Sequence, residues 1–167
     1  MMMEINDRNW DLAKKIYIRS VRSTMYCSVA TIGIDGEPHI SPIGSLYLTE
    51  PGKGYYFEEF LPVMRKNLEK DSRICVMAVN AGMFFWLSSL RKGRFASMPG
   101  IRLYGRVDAK RREATDEELR RWFSVIKKLK HFRGYDLLWG NMKYVRDVEF
   151  YSMEQLNVGE MTAGFSL

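Results

Sequence analysis

The hydrophobic and polar positions of the chain predict a mainly β protein with a few helices. Apolar runs or strict alternation of apolar and polar residues are typical of strands, and a recurrence every three to four residues is typical of a helix. The predicted strands are Met25–Ile34, Pro38–Leu48, Tyr55–Phe60, Ile74–Asn80, Ile101–Ala109 and Val145–Met153. The predicted helices are Asn6–Val21, Pro62–Leu68 and a stretch that begins at Thr115, where Thr115 and Glu118 can form a capping box.

Turn residues indicate how the first strands connect. Asp35-Gly36 between two apolar runs predicts a β-hairpin, because such turns need positive φ at their central residues. Pro38 and Pro42 interrupt the second strand of this hairpin and leave neighbouring backbone groups unpaired. A strand broken in this way fits a ligand-binding edge and equally fits a plain edge strand.

The strands follow one another by local connections, which favours antiparallel pairing in a meander or Greek-key barrel. We therefore predict one α+β domain over residues 1–167. Two stretches have a less regular pattern. The segment Ala81–Gly100 is expected to form a short helix and an irregular loop, and the aromatic segment His131–Tyr144 a loop or broken helix.

The formal net charge of +6 favours an anionic partner. A nucleic-acid face, a phosphorylated cofactor or merely a solvated helix would each explain it. No apolar run is long enough to span a bilayer and the N-terminus lacks a secretory pattern, so a cytoplasmic protein without a membrane partner is expected. Cys27 and Cys75 are expected to be reduced and buried, although a disulfide between them stays open.

The sequence lacks the patterns of several common active sites. It contains no glycine-rich dinucleotide or phosphate-binding loop, no nucleophile elbow and no cluster of metal ligands. We therefore assign no catalytic side chain and no metal site. Such a chain either is not an enzyme or takes its chemistry from a cofactor.

The order of short motifs resembles the pyridoxamine 5'-phosphate oxidase-like family of FMN-binding split barrels. These motifs are an Asp-Gly turn, Pro-His-x-Ser-Pro, Gly-x-Gly-Tyr-Tyr-Phe, a basic helix with Asn-Leu, and Ile-Arg-Leu-Tyr-Gly-Arg-Val. The resemblance covers Met25–Lys110 and, more loosely, the closing strand from Val145. It implies a six-stranded antiparallel split β-barrel with flanking helices, a homodimer, and FMN held in a cleft between the two subunits.

The resemblance also implies which residues hold the cofactor. Residues of the second strand would run along the flavin, those of the third strand would lie beside it, and basic residues would contact the phosphate. In that order they are Ser41, Pro42, Ile43 and Gly44, then Tyr56, Phe57 and Glu58, then Arg65, Lys66, Asn67 and Arg102. A phosphate beside the Arg65–Asn67 helix also makes physical sense, because helix starts and cations both attract anions.

The chain departs from the true oxidases at several of these places. Pro62, Val63 and Met64 stand where the oxidases have Ser-Arg-Lys, Ser41 replaces an arginine, and Gly100 replaces a glutamine. An Arg-Leu-Ala-Pro ending is also missing from the final Gly-Phe-Ser-Leu. Synthesis of pyridoxal phosphate is therefore not the expected reaction, and an FMN-dependent oxidoreductase of unassigned substrate is.

Two other functions stay open. The basic segment 110–133 could make the chain a nucleic-acid-binding or interaction module, although its aromatic residues fall on the apolar face rather than among the charges. The same barrel could instead bind a deazaflavin or haem. The aromatic stretch Tyr135–Tyr144 could form a lid over a flavin ring, or simply pack against the last helix.

Overall fold

The computed structural model describes residues 2–165, so residues 1, 166 and 167 of the predicted domain lie outside the described residues. The helices are α1 (Asp7–Thr24), α2 (Pro62–Lys70), α3 (Met83–Lys92), α4 (Asp116–Ile126) and α5 (Gly134–Trp139). The strands are β1 (Met3–Glu4), β2 (Cys27–Ile32), β3 (Pro38–Ile43), β4 (Leu46–Leu48), β5 (Lys53–Phe57), β6 (Arg73–Val79), β7 (Gly100–Val107), β8 (Arg112–Glu113) and β9 (Tyr144–Gln155). Short 3-10 turns occupy Lys127–Leu129 and Gly159–Thr162.

The strands form one antiparallel sheet that curls into a split barrel. Its order is β3-β2-β6-β7-β9-β5-β4, and the two-residue strands β1 and β8 also pair with β9. The predicted fold class is confirmed, but the predicted second strand is two strands, β3 and β4, which lie at opposite edges of the sheet. Gly44 and Ser45 connect these edges without a ladder between them, and this gap is the split of the barrel.

The predicted hairpin between β2 and β3 is confirmed. Its register runs from Cys27 opposite Ile43 to Ile32 opposite Pro38. Gly36 has a φ of +88°, which the turn requires and which a residue with a Cβ rarely adopts. At the other end of β3, a Cβ on Gly44 would lie 2.9 Å from the carbonyl oxygen of Met25, so glycine permits the close approach of α1.

The apolar side chains form two clusters on opposite faces of the sheet. The larger one fills the barrel and includes α1 residues such as Trp10 and Tyr17, which close one side of it. The smaller one lies between the outer face of β5 and β9 and the helices α4 and α5, with Phe57 and Trp122 among its members. The helices α4 and α5 thereby form a wall beside the split.

Local sequence signals account for the helix ends. Asn6 caps α1 in a capping box with Asn9, and Thr115 caps α4 in the predicted box with Glu118. The segment 81–100 contains the predicted short helix, α3, followed by a loop. Cys27 and Cys75 are both free thiols. None of the described helices is long and apolar enough to cross a membrane.

Candidate cofactor site

A cavity of about 740 Å³ lies at the split of the barrel. It is bounded by the end of α1, the edge strand β3, the Gly44–Ser45 connection, the start of α2 and the wall formed by α4 and α5. Its volume is in the range of natural small-molecule sites. The cavity exists because β3 and β4 do not pair, so the sheet stays open where the helices meet it.

The edge strand β3 supplies one side of the cavity. Ser41, Pro42, Ile43 and Gly44, the predicted flavin-facing segment, all line it. Ser41 and Ile43 are buried, whereas Pro42 is exposed, as expected for alternation along an edge strand. The free edge of β3 therefore leaves backbone groups beside the cavity that no neighbouring strand occupies.

The start of α2 supplies the floor, through Leu61, Pro62, Val63 and Met64. Pro62 is at the first helical position, and the N-cap residue Leu61 makes no side-chain hydrogen bond to the N–H groups of the first turn among the described residues. Helix starts leave such N–H groups without intrahelical partners, and the helix dipole adds partial positive charge there. An anion in the cavity would meet both.

The opposite wall is apolar and contains three aromatic side chains. Its members come from β5, α4, α5 and the segment after α5: Phe57, Trp122, Val125, Ile126, Leu129, Leu138, Trp139 and Met142. The rings of Phe57 and Trp122 have centroids 5.7 Å apart, and those of Trp122 and Trp139 are 6.4 Å apart. The predicted aromatic stretch 135–144 thus contributes Leu138, Trp139 and Met142 to the cavity while it also packs on α4.

Few polar atoms line the cavity, and two of them lack partners. Nδ1 of His39 and Nε1 of Trp122 are buried and form no hydrogen bond with a described residue. A buried polar atom without a partner costs free energy, so a ligand with polar edges would stabilise both. Arg22 and Glu59 are the charged side chains of the lining. An apolar slot with scattered polar atoms fits a planar heteroaromatic ring.

The predicted residues of β5 divide between the cavity and the protein interior. Phe57 lines the cavity. Tyr56 lies in the barrel core, where burial raises the pKa of its hydroxyl, and the neighbouring carboxylate of Glu58 raises it further. Glu58 is buried and forms an ion pair with Arg146, in which Oε1 and Nε are 2.7 Å apart. Tyr56 and Glu58 are therefore not among the residues that line the cavity.

The predicted phosphate residues lie outside the lining. Arg65 turns toward Glu58 and donates from Nη2 to its carbonyl oxygen at 3.4 Å. Lys66 is exposed on α2. Asn67 is buried and donates from Nδ2 to Oγ1 of Thr31 at 3.1 Å.

Arg102 is on β7, remote from the cavity lining. It donates from Nη1 to Oε2 of Glu154 at 3.0 Å, and this contact is the largest cause that lowers the pKa of Glu154. The structure thus brings Ser41–Gly44 together with Phe57 and leaves the other predicted residues apart from them.

The cavity residues that the sequence does not predict include Arg22, His39 and Trp122. Arg22 comes from the last turn of α1, just beyond the predicted helix Asn6–Val21, and it forms no ion pair with a described residue. His39 lies in the predicted strand Pro38–Leu48, and Trp122 lies in the segment 110–133, whose aromatic residues are predicted to fall on its apolar face. No local signal distinguishes these positions, because the cavity forms only when α1, β3 and α4 meet.

The basic residues of segment 110–133 are partly neutralised. Arg112 contacts the carboxylates of Glu118 and Asp147 at 2.7 and 2.6 Å, and Arg121 lies 3.5 Å from that of Glu117. These pairs account for part of the local charge without a nucleic acid.

An antiparallel split barrel with an apolar cleft at its open edge defines a small-molecule-binding class of protein. Residues 18–149 match the profile of the pyridoxamine 5'-phosphate oxidase family. The match spans most of the chain, and the protein belongs to this family. No curated relative is found by sequence comparison.

Solved structures share the fold at low sequence identity. An FMN-binding protein from Syntrophomonas wolfei subsp. wolfei is 16% identical with a TM-score of 0.57, and the alignment covers 92% of this chain and 90% of that one. HupZ from Group A Streptococcus is 19% identical with a TM-score of 0.54, covering 87% and 94%. An F420 reductase is 9% identical with a TM-score of 0.53, covering 83% and 95%. At these identities the likeness concerns the fold alone.

Proposed function

We propose that the cavity binds a flavin, specifically FMN, and that the protein is a cytoplasmic oxidoreductase. The observation that carries this proposal is the pairing of an apolar, aromatic slot with an uncapped helix start. A flavin has a planar ring that suits the slot and a phosphate that suits the helix start. Membership of the family, together with the fold shared with an FMN-binding protein, supports the same assignment.

Each side of the cavity has a separate role in this proposal. The ring lies along Ser41–Gly44 and against the wall that contains Phe57 and Trp122. The unpaired Nε1 of Trp122 donates to a polar edge of the ring, and Nδ1 of His39 gains a partner there. The phosphate binds at the first turn of α2, with Arg22 offsetting its charge. The bound flavin supplies hydride or electron transfer, and the chain orients it and excludes water.

We also propose that the protein is a homodimer. Large apolar side chains are exposed around the cavity mouth and on the adjoining outer face of the sheet: Met25, Tyr26, Ile40, Phe60, Val63 and Met77. Contiguous exposed apolar surface of this kind is typical of an interface. A second copy seated there would cover the mouth, so each cofactor would lie in a cleft between two subunits.

The test is a visible absorption spectrum of the purified protein, with mass analysis of any chromophore that denaturation releases. The expected result is a flavin spectrum, or its appearance when FMN is added to colourless protein, together with a released mass equal to FMN. Release of a deazaflavin or haem would change the assigned cofactor and leave the cavity assigned as its binding site. A colourless protein that shows no change on titration with FMN would overturn the proposal.

A further inference from the structure

Helix α3 presents an apolar face to solvent. Met83, Phe84, Leu87 and Leu90 are all exposed, and 84% of the surface of Phe84 is accessible. Their spacing places them together on one side of the helix. A surface helix normally presents polar residues to solvent, so an apolar outer face is unusual.

The opposite side of α3 fixes the helix to the barrel. Phe85 and Trp86 pack on Phe95 with ring centroids 5.4 and 5.1 Å apart, and Nε1 of Trp86 donates to the carbonyl of Asn80 at 2.6 Å. The start of the helix is tied to α1, because the N–H of Ala81 donates to Oγ of Ser23 at 2.8 Å. The exposed face is therefore held outward by a packed underside.

The charged residues next to this face in the sequence have a single sign. Arg91, Lys92 and Arg94 follow directly on the apolar face and are all exposed. The sequence contains no acidic residue between Ser72 and Val107. Arg91 is four residues after Leu87, which places its guanidinium beside the apolar side chains rather than behind them.

We propose that α3 docks the protein on the surface of an anionic membrane. Bulky apolar residues on one side of a short helix, with basic residues beside them, fit the boundary between headgroups and acyl chains. Anionic lipids attract the arginines and the lysine, whose apolar stems can lie along the boundary. This proposal replaces the expectation that the chain has no membrane partner.

A second copy is the other occupant that such a face could have. In a two-fold contact of α3 with α3, the same cations would approach each other, and no carboxylate of this segment would offset them. The charge pattern therefore favours an anionic membrane over a second copy as the partner of this face. None of the α3 residues lines the flavin cavity, so the proposal is independent of the cofactor.

The test is flotation of the full chain with phosphatidylcholine vesicles, with and without phosphatidylglycerol. We expect binding to the anionic vesicles that weakens as salt is added, and much weaker binding to pure phosphatidylcholine. The variant F84S/L87S should bind the anionic vesicles less tightly by on the order of 100-fold, because two buried apolar side chains are lost. The variant R91Q/K92Q should lose about 30-fold, because two cations near the surface are lost.

A matched control removes two apolar side chains that are exposed elsewhere. Ile18 on α1 and Leu137 on α5 are exposed and do not line the cavity, so I18S/L137S should bind vesicles like the wild type. Light scattering is measured on the same samples. Equal binding to both kinds of vesicle, no binding, or a smaller assembly only in F84S/L87S would overturn the proposal, and the last result would assign the face to a second copy.

Discussion

The carboxylate of Glu58 and the guanidinium of Arg146 form an ion pair inside the protein. Two contacts join them, Oε1 to Nε at 2.7 Å and Oε2 to Nη2 at 3.0 Å, and the side chains are 1% and 5% exposed. Arg146 also donates to the carbonyls of Asp108 and Ala109. The pair thus connects the end of β5 to β9 and to the segment after β7, directly behind the cavity.

Replacing Glu58 by glutamine should destabilise the fold by about 3–5 kcal/mol, because Arg146 would keep a buried charge without a counter-charge. The measurement is the free energy of unfolding from urea titration. Glu69→Gln, on the exposed side of α2, is the control and should change that free energy by less than about 0.5 kcal/mol. Equal effects of the two substitutions would mean that solvent screens the pair.

Arg112 connects α4 to β9, and its loss should loosen the cavity wall. It donates twice to Asp147, at 2.6 and 2.7 Å, and twice to Glu118, at 2.8 and 2.7 Å. Because the arginine is partly exposed, Arg112→Ala should cost only about 1–3 kcal/mol in the free energy of unfolding. The exposed Lys110→Ala is the control. If Arg112→Ala does not change the free energy of unfolding beyond experimental error, α4 is held by apolar packing alone.

The same contact predicts an acid dependence of stability. Hydrogen bonds from Arg112 are the largest cause that lowers the pKa of Glu118 below its ordinary value. Glu118 in the unfolded chain has an ordinary pKa of about 4.3, and its lowered pKa in the folded protein stabilises the fold fully at pH values above that. This stabilisation is lost as the pH falls through the lowered pKa of the folded state. The difference in unfolding free energy between wild type and Arg112→Ala should therefore shrink below about pH 4. A constant difference down to pH 2 would argue against the ion pair.

Local signals in the sequence were sufficient to predict most of the helices, strands and turns. The hairpin at Asp35-Gly36 depends on a turn conformation that two adjacent residues specify. The start of α4 depends on Thr115 and Glu118, which are three residues apart and satisfy each other's backbone N–H groups. Such interactions are complete within a few residues, so a sequence pattern reveals them.

The site depends on contacts that no short pattern contains. Gly44 and Ser45 look like the middle of one strand, yet they span the two edges of the sheet. Asn67 looks like a surface helix residue until the barrel closes and Thr31 comes within 3.1 Å. Residues of α1 and α4, far apart in sequence, then line the same opening. Motif order predicted Ser41–Gly44 as a cofactor-binding segment and these residues line the cavity, while the remaining sides come from tertiary packing.

The two thiols should differ in reactivity. Burial raises the pKa of Cys27 to about 11, and it also raises that of Cys75, but Cys75 is only half-buried on the sheet. Since the thiolate is the nucleophile, both should react slowly near neutral pH, with Cys75 the faster. The measurement is labelling with a thiol reagent, followed by peptide mass analysis, and Cys75→Ser should abolish the faster phase. Preferential labelling of Cys27 in folded protein would contradict the packing of α1 over β2.

The phosphate site can be tested with two arginines on the same helix. Arg22 lines the cavity, whereas Arg19 is exposed one turn earlier and does not line it. If Arg22 offsets the phosphate charge, Arg22→Ala should weaken FMN binding by about tenfold. This is near the low end of the effect of a charged hydrogen bond, because Arg22 is exposed and solvent screens its charge. Arg19→Ala should leave the dissociation constant unchanged.

Riboflavin separates a phosphate contact from a change in cavity shape, because it has the same ring and no phosphate. Fluorescence titration of the wild type and of both variants with each ligand gives the six dissociation constants that are needed. Arg22→Ala should weaken FMN and leave riboflavin unaffected. An equal loss for both ligands would mean that Arg22 only shapes the end of α1, and the uncapped first turn of α2 would then hold the phosphate without it.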